Sequence, residues 1–232
     1  MNAIILCGGL STRLGDITKS IPKVLLEIGD RTVLDWQLEK IKCAGIDTVV
    51  MAAGHLSHVL KKEVGEERNG IKIIYAIENE RLGTGGAVKF AFSFIPDPVA
   101  PTCILNGDVL TTVSLAEMVQ HVKPESEGII LGTRVEDAST YEILKYDENK
   151  HLQQFVKRDG MEKPGYINGG FYIFTHHAKK YFPEVSPFSM EYDVFPHMKN
   201  LFVYESDAPW IDIGVPERLE WARENWEIFN KQ

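Results

Sequence analysis

Two adjacent glycines and two basic residues near the start of the chain form the first pattern that could do chemistry. Gly8 and Gly9 follow the apolar run 3–6 after one cysteine, and Arg13 and Lys23 come shortly after them. Glycines let a ligand approach the backbone closely, and successive free amides can form an anion-binding concavity. The arginine and the lysine would add full positive charge. The stretch suggests a phosphate-binding loop, and the alternative is a glycine turn with solvated basic side chains.

This loop matches neither of the two common nucleotide loops. The dinucleotide pattern G-x-G-x-x-G is absent. The pattern G-x-x-x-x-G-K-[ST] is also absent, because five residues separate Gly9 from Gly15 and no lysine follows Gly15 directly. Any phosphate site here must therefore be of another kind.

Two aspartates supply candidate metal ligands. Asp108, in "LNGDV", comes just after a predicted buried strand, so its carboxylate should point into the same crevice as Gly8. Asp212, in "PWIDIGVP", lies in an apolar stretch, where a carboxylate is costly unless it is paired or coordinated. Mg²⁺ commonly takes one or two protein carboxylates together with substrate phosphates. We predict that both aspartates bind Mg²⁺; the alternative for Asp212 is a cap of the helix near Pro216, four residues on, which is slightly too far.

A second glycine loop, "ERLGTGGAV", precedes an Ala/Val/Phe helix for which Thr84 is a candidate cap. Its glycines, Gly83 among them, would allow a flat base or a sugar to approach the backbone. A tight turn that opens a buried helix is an equally good interpretation.

Composition limits the class of protein. The chain has 232 residues, 44% of them hydrophobic, which is enough for one sizeable core. A net charge of −8 without a basic block argues against a nucleic-acid binder. The sequence has no basic leader at its start and no apolar run approaching the roughly 18 residues of a membrane span, and its three cysteines are widely separated. We expect a cytoplasmic protein that binds neither nucleic acid nor membrane.

Strand and helix patterns alternate in the first half of the chain. β-branched runs predict buried strands at 3–6, 48–53, 71–76 and 102–106. Between them, Thr32 is a candidate cap of an amphipathic helix, and the alternation predicts a parallel sheet with helices on both faces.

The second half is less regular. Strand-like runs at 128–134, 141–146, 166–174 and 201–205 are separated by charged turns, which favours some antiparallel pairing. A last helix is predicted to begin at Pro216. The fold class is therefore α/β, with a mixed, mostly parallel sheet flanked by helices.

Taken together, the motifs resemble those of the sugar-phosphate nucleotidyltransferases, also called nucleotide-sugar pyrophosphorylases. They follow in order from residue 2 to about 220: "GGLSTRLGDITKSIPK", "LGTGGAV", "LNGDV", "YINGGFYIF" and "WIDIGVPE". The resemblance implies one Rossmann-like nucleotide-diphospho-sugar transferase domain over 1–232, with a nucleotide-binding half (1–110) and a sugar-phosphate-binding half (111–232). It also implies Mg²⁺-dependent transfer of a nucleoside monophosphate from a nucleoside triphosphate to a sugar 1-phosphate, with release of pyrophosphate.

The same resemblance assigns roles to individual residues. Arg13 would hold the departing pyrophosphate, and Lys23 would neutralise phosphate charge where the acceptor attacks. Asp108 and Asp212 would hold Mg²⁺. The nucleotide-binding residues implied are Leu6, Gly8, Gly9, Glu78, Gly83 and Thr84, and the sugar-phosphate-binding residues implied are Asn168, Gly169, Lys157 and Glu191.

Glu78 bears on the choice of base, because several relatives carry a base-reading glutamine at its place. A carboxylate only accepts hydrogen bonds, and guanine offers two neighbouring donors, whereas uracil and thymine alternate acceptor, donor, acceptor. This favours GTP. Within the family the pattern is most similar to the guanylyltransferases that act on D-glycero-D-manno-heptose 1-phosphate. One departure is "FVKR", where Lys157 and Arg158 replace a glutamate and a lysine, so the acceptor sugar is expected to differ in ring substituents or charge.

Other functions stay open at this point. The base could be that of UTP, CTP or dTTP, and the acceptor a hexose 1-phosphate or phosphocholine. A non-catalytic nucleotide-sensing subunit would be expected to have lost Arg13, Lys23, Asp108 or Asp212, and all four are present. The sequence also leaves a homodimer open.

Overall fold

The computed structural model describes residues 1–9, 12–157 and 160–230. Its strands are β1 Asn2–Leu6, β2 Glu27–Ile28, β3 Arg31–Thr32, β4 Thr48–Ala53, β5 Glu67–Arg68, β6 Ile71–Ile77, β7 Thr102–Asn106, β8 Val109–Thr111, β9 Gly128–Val135, β10 Ile143–Tyr146, β11 Leu152–Val156, β12 Gly165–Phe174, β13 Leu201–Ser206 and β14 Trp210–Asp212. Its α-helices are α1 Val33–Cys43, α2 Ser57–Val64, α3 Gly83–Ala91, α4 Leu115–Gln120, α5 Met190–Asp193 and α6 Pro216–Glu224. Short 3₁₀ segments span Thr12–Thr18, Lys23–Leu25, His176–Tyr181, Phe195–His197 and Trp226–Asn230.

The main sheet is mixed. Its strands follow the order β11-β10-β12-β7-β1-β4-β6-β5, and β9 pairs with both β12 and β13. The contacts β7-β1, β1-β4 and β4-β6 are parallel, whereas β12 runs antiparallel to β7 and β9. The fold class predicted from the sequence is confirmed, and the antiparallel pairing expected in the second half is present.

Helices cover both faces of the sheet because its central strands are apolar on both sides. Along β1, Ile5 packs in the same core cluster as Leu38 of α1, whereas Ile4 packs in the opposite cluster with Val88 of α3. Alternate residues of a strand point to opposite faces, so a continuous apolar run serves two cores. Each such fully buried side chain stabilises the fold by about 1.5–3 kcal/mol.

Local signals place most helix starts. The Thr32 side chain accepts a hydrogen bond from Asp35 N (3.2 Å), and Asp35 Oδ2 accepts one from Thr32 N (3.1 Å), which completes a capping box at the start of α1. Ser114 caps α4 through its hydroxyl, which accepts from Glu117 N at 3.2 Å. The cap proposed for α3 was wrong: the helix begins at Gly83, and Thr84 lies inside its first turn, where its hydroxyl accepts from Met190 N.

A small antiparallel ribbon lies outside the main sheet. It is formed by β8 and β14, with Asp212 opposite Val109 and Trp210 opposite Thr111. The ribbon pairs β8, which follows the parallel half of the chain, with β14, which comes shortly before α6. It therefore brings two distant parts of the chain together next to the carboxyl end of β7.

Among the described helices, none is long and apolar enough to cross a membrane.

Candidate functional site

A cavity of about 560 Å³ opens at the carboxyl ends of the parallel strands, where ligands bind in open α/β sheets. Strands β7, β1, β4 and β6 each end at or near it. Its lining residues are Leu6, Cys7, Gly8, Gly9, Lys23, Val24, Ala52, Glu78, Arg81, Gly83, Thr84, Ala87, Asn106, Gly107, Asp108 and Pro187. The nucleotide-binding residues implied by the sequence all lie in this one cavity.

The loop after β1 starts from a fixed backbone. Cys7 N donates to Ala52 O and Gly107 N donates to Leu6 O, both at 2.9 Å, so the strand end is held from both sides. A Cβ on Gly107 would lie 2.4 Å from Leu6 O, so only glycine fits this close approach. The part of the predicted phosphate loop at residues 10 and 11 lies outside the described residues.

Asp108 and Asp212 are brought together by the backbone. Ile213 N donates to Asp108 O at 2.9 Å, which extends the ladder of the β8-β14 ribbon by one step. The two acidic residues are therefore neighbours across the ribbon although they are far apart in sequence. We call these two residues and their side-chain partners the acidic corner.

Lys23 neutralises Asp108. Its Nζ lies 2.8 Å from Asp108 Oδ2, and both side chains are largely shielded, with 16% and 27% of their surface exposed. Lys23 begins a 3₁₀ turn directly after Pro22, and the neighbouring Val24 is buried, so the main chain that carries the lysine is anchored. Lys23 thus lies at the edge of the cavity as a shielded cation.

Asp212 is neutralised by a different set of groups. Its Oδ1 lies 2.8 Å from Arg218 Nη2 and accepts from Gly214 N at 3.0 Å, while its Oδ2 accepts from the Tyr141 hydroxyl at 2.9 Å. Arg218 also donates to the Tyr141 oxygen. Burial, together with the charge of Asp212, raises the pKa of the Tyr141 hydroxyl, which therefore stays protonated as a donor. Asp212 does not cap α6, whose cap position is Val215.

Arg13 lies next to the acidic corner and not in the cavity wall. A Cβ built on Gly214 would be 3.2 Å from Arg13 Nη2 and 2.8 Å from Asp212 Oδ1. The Arg13 side chain is exposed, and Arg13 comes shortly after residues 10 and 11 of the loop, which lie outside the described residues. Its guanidinium therefore stands at the solvent side of Asp212.

The acidic corner contains the type of oxygen donor that a hard divalent cation takes together with substrate phosphates. Asp108 uses one carboxylate oxygen for Lys23, and no described residue makes a hydrogen bond to its other oxygen. Across residues 1–9, 12–157 and 160–230, no group of three or more His, Cys, Asp or Glu side chains is arranged to hold a metal. Two carboxylates suffice for an ion whose remaining ligands are phosphate oxygens and water.

Glu78 marks the other end of the cavity. Its Oε1 lies 3.2 Å from the position of a Cβ on Gly8 and 2.7 Å from that of a Cβ on Gly54, and its Oε2 accepts from Leu82 N at 3.3 Å. Burial raises the pKa of the Glu78 carboxyl, whereas the Leu82 hydrogen bond and the charge of Arg81 lower it. A side chain at position 54 would displace this carboxylate, so Gly54 is part of the site.

The glycines of "LGTGG" have a packing reason of their own. A Cβ on Gly83 would lie 2.4 Å from Phe188 O, and one on Gly85 would lie 2.6 Å from the Phe188 ring. Gly85 N donates to Phe188 O, and Phe188 N donates to Leu82 O. The glycines thus let the segment around Phe188 lie directly on the start of α3, and Gly83 and Thr84 still border the cavity.

The residues assigned to the sugar phosphate lie outside the cavity wall. Asn168 is already engaged, because its Nδ2 donates to the Tyr172 hydroxyl and its Oδ1 accepts from Gly170 N. Glu191 accepts from Ser189 Oγ at 2.7 Å and from Thr84 Oγ1 at 3.1 Å, which connects it to the cavity rim.

Gly169 and Lys157 complete this group. Gly169 O accepts from Trp210 Nε1 at 2.9 Å, and a Cβ there would meet Leu131 at 2.6 Å. Lys157 is exposed directly after β11. The neighbouring Arg158, noted in the sequence as a departure from the family, lies outside the described residues.

Four residues of the site were missed by the sequence analysis: Arg81, Tyr141, Arg218 and Gly54. Arg81 sits in the glycine-loop motif and could have been noticed as a cation three residues after Glu78. Tyr141 and Arg218 contact Asp212 only in the folded protein, so no local sequence pattern predicts these contacts.

Comparison with known proteins shows the family of the chain. The profile of the Nucleotidyl transferase family matches residues 2–227. Over 224 residues the chain is 35% identical to the mannose-1-phosphate guanylyltransferase catalytic subunit beta of Xenopus tropicalis, covering 94% of this chain and 62% of that protein. The chain thus spans about three-fifths of the length of that relative.

Two similar proteins match over nearly their full length. The D-glycero-alpha-D-manno-heptose 1-phosphate guanylyltransferase of Campylobacter jejuni is 36% identical over 219 residues, covering 94% of this chain and 96% of that protein. The crystal structure of HddC from Yersinia pseudotuberculosis complexed with GMP-PN superimposes with a TM-score of 0.83 at 29% identity, covering 97% of this chain and 99% of that one. The resemblance drawn from the motifs is confirmed, and the chain belongs to the nucleotidyl transferase family.

Proposed function

We propose that the protein transfers GMP from GTP to the phosphate of a manno-configured sugar 1-phosphate, a heptose or mannose derivative, forming a GDP-sugar and pyrophosphate. The observation that carries this proposal is the 2.9 Å hydrogen bond from Ile213 N to Asp108 O. It joins Asp108 to the residue directly after Asp212, beside a cavity in which Glu78 offers a carboxylate to a base. Similarity to guanylyltransferases for mannose 1-phosphate and heptose 1-phosphate supports the choice of base and sugar.

The reaction is a displacement at the α-phosphorus of GTP. A phosphate oxygen of the sugar 1-phosphate forms the new P–O bond, and the bond between the α-phosphorus and the bridging oxygen to the β-phosphate breaks. That bridging oxygen leaves with the electron pair as part of pyrophosphate. The attacking oxygen is already anionic, so no strong general base is needed, and the protein contributes mainly position and charge neutralisation.

Lys23 and Arg13 supply that neutralisation. Lys23 stands at the cavity edge, where its ammonium can face the reacting phosphates once Asp108 has another partner. Arg13 is exposed beside the Gly214 turn, where it can hold the leaving pyrophosphate. Local cations of this kind let a chain with a net charge of −8 bind two polyanions.

Nucleotidyl transferases of this family generally use a divalent metal ion. We assign Mg²⁺ to Asp108 and Asp212, since both are oxygen ligands and a triphosphate would provide the remaining charge. When bound, the ion would draw negative charge away from the phosphates during the displacement.

The two halves of the chain would divide the substrates. Residues 1–110 carry Glu78 and every lining residue of the cavity except Pro187, and we assign the nucleotide to them. Residues 111–232 carry Asn168, Gly169, Lys157 and Glu191, and we assign the sugar phosphate to them. The thiols of Cys7, Cys43 and Cys103 suit a reducing cytoplasm. A homodimer stays a prediction that light scattering can check.

The test is a pyrophosphate-release assay of the full chain with Mg²⁺. Five triphosphates (GTP, ATP, UTP, CTP and dTTP) are paired with mannose, glucose and heptose 1-phosphates, and Asp108→Asn serves as the matched inactive control. We expect rapid release only with GTP and a manno-configured acceptor. Release with no pair, or a preference for UTP or dTTP, would contradict the proposal.

A further inference from the structure

Arg81 lies beside Glu78 on the same wall of the cavity. Glu78 N donates to Ala53 O at 2.9 Å, which continues the β4-β6 ladder up to this residue. Leu82 N then donates back to Glu78 Oε2, so the chain between them forms a closed turn. Arg81 stands in this turn, directly before the residue that makes the hydrogen bond.

The guanidinium of Arg81 is available to a ligand. The side chain is exposed and borders the cavity, and within the described parts of the chain no hydrogen bond or ion pair holds it. It is still close enough to Glu78 for its charge to counteract the effect of burial on the pKa of that carboxyl. The base end of the cavity therefore presents the Glu78 carboxylate oxygens as acceptors and, next to them, the Arg81 guanidinium N–H groups as donors.

Guanine carries the complementary order of groups along its edge. Its N2 and N1 are donors, and O6 and N7, which follow directly, are acceptors. A carboxylate offers only acceptors and a guanidinium only donors, and arginine bonds O6 and N7 of guanine with two parallel hydrogen bonds. Adenine has a donor in place of O6, and the pyrimidines have no N7.

We propose that Arg81 is a second base-reading residue, which donates to O6 and N7 of guanine while Glu78 accepts from N1 and N2. The inference rests on the proposed function and deepens it by assigning a partner to the Hoogsteen edge of the base, with O6 and N7, which Glu78 does not contact.

The position of the two residues agrees with a nucleotide that lies across the strand ends. Glu78 follows β6, and Asp108 follows β7, which is three strands away in the order β7-β1-β4-β6. At about 4.8 Å per strand this separates base and metal positions by about 14 Å, a span of the order of an extended nucleoside triphosphate.

The experiment measures the affinity of the full chain for GTP, 7-deaza-GTP, ITP and UTP by calorimetry in the presence of Mg²⁺. The compound 7-deaza-GTP lacks the N7 acceptor, and ITP lacks the N2 amino donor. The variant Arg81→Met keeps the aliphatic stem and removes the donors, and Arg81→Lys keeps the charge without the paired donors. Glu80→Gln is the matched control, because Glu80 belongs to the same turn and does not line the cavity.

The wild type is expected to bind GTP about 10-fold more tightly than 7-deaza-GTP. Arg81→Met should weaken GTP binding by about 10- to 100-fold and bring the GTP to 7-deaza-GTP ratio close to one, while the GTP to ITP ratio is kept. Arg81→Lys should leave a ratio between these values, and Glu80→Gln should behave as the wild type. Each ratio is internal to one variant, so a general loss of folded protein cannot imitate the result.

Two results would overturn the role of Arg81 alone: a wild-type GTP to 7-deaza-GTP ratio that persists in Arg81→Met, or an equal loss for GTP and UTP, which would indicate a phosphate contact. A wild type that binds GTP no better than UTP would overturn both this inference and the base assigned in the proposed function.

Discussion

The base end of the cavity and the acidic corner treat their charges in opposite ways. At the base end, Glu78 receives one long hydrogen bond, from Leu82 N, and Arg81 stands beside it without an ion pair among the described residues. At the acidic corner, Asp108 and Asp212 each have a cation at 2.8 Å. One end therefore presents unpaired groups, and the other presents carboxylates that are already paired with cations.

This difference suggests a division of labour. Groups without strong internal partners discriminate between ligands, because a wrong base leaves them unpaired at a cost. Groups that are already neutralised keep the folded protein stable in the absence of substrate and become reactive only when a metal and a triphosphate replace their partners. Selectivity and catalysis should then respond separately to mutation.

The largest expected effect is the loss of a carboxylate at the acidic corner. Asp108→Asn should reduce turnover at least about 100-fold, because it weakens metal binding and also removes the ion partner of Lys23. Pyrophosphate release measures turnover, and circular dichroism checks that the fold is intact. Near-normal activity would show that Asp108 is not part of the site, and the contrast drawn between the acidic corner and the base end would then fail.

Glu78→Gln should reduce the preference for GTP over UTP by about 10- to 100-fold, with a much smaller change in the turnover of saturated enzyme. Glutamine replaces one acceptor by a donor, which would face the donors of guanine. Measured kcat/KM for both triphosphates tests this, with Glu80→Gln as the control. Unchanged base selectivity would contradict the role of Glu78.

The same carboxyl predicts a pH dependence. Because burial raises the pKa of Glu78, the protonated form is favoured at a higher pH than for an exposed glutamate. A protonated carboxyl cannot accept from both N1 and N2, so GTP affinity should fall as the pH drops through this raised pKa and recover above it. The affinity of Glu78→Gln should lack this acidic limb, and an identical limb in that variant would point to another group.

Arg218→Met tests whether the partners of Asp212 matter for catalysis. The variant leaves Asp212 with the Gly214 amide and the Tyr141 hydroxyl and should lower kcat about 10-fold through loss of orientation. Arg218→Lys should recover part of the activity. If Arg218→Met lowers thermal stability but leaves kcat and its Mg²⁺ dependence unchanged, the arginine is merely structural.

The smallest effect on activity is expected far from both ends of the site. The Asp35 carboxylate completes the capping box of α1 and pairs with Arg68 at 2.6 Å. Although burial opposes it, the Arg68 contact and the Thr32 hydrogen bonds hold the pKa of Asp35 down to about 2. Asp35→Asn should lower the free energy of unfolding by about 1–3 kcal/mol and leave nucleotide affinity unchanged.

Because the pKa is lowered in the folded state, this contribution of Asp35 is present above the pKa of the unfolded chain and is lost as the pH falls toward about 2. Urea unfolding at neutral and acidic pH measures it. The control is Asp30→Asn, which removes only an exposed ion pair with Arg31 and should change stability by less than about 0.5 kcal/mol. Equal effects of the two substitutions would contradict the argument.

The sequence predicted the parallel half of the fold well, because buried strands read as continuous apolar runs and α1 starts with a complete capping box. It did not predict β11, Leu152–Val156, an exposed strand at the end of the sheet whose two glutamines interrupt the apolar pattern. The polar cap proposed at Thr84 failed because a tertiary contact, with Met190 N, takes the hydroxyl.

The same division holds for the site. The family resemblance implied that Asp108 and Asp212 act together, and the structure brings their backbones near each other in the β8-β14 ribbon; their role as metal ligands stays a prediction. The ties from Arg218 and Tyr141 to Asp212 depend on side chains that meet only in the folded chain. The residues around Arg218 and Tyr141 show no periodicity from which these contacts with Asp212 could be predicted.

The β8-β14 ribbon has a consequence for how the protein can change. The chain from residue 112 to residue 209 leaves at the end of β8 and returns at the start of β14, and this ribbon sets Asp212 opposite Val109 and Ile213 opposite Asp108. The entropy of closing such a loop rises only slowly with its length. Insertions or deletions in the exposed turns of that span should thus leave the backbone pairing beside Asp108 and Asp212 intact, whereas β12, which pairs with β7, and Tyr141, which donates to Asp212, must be kept.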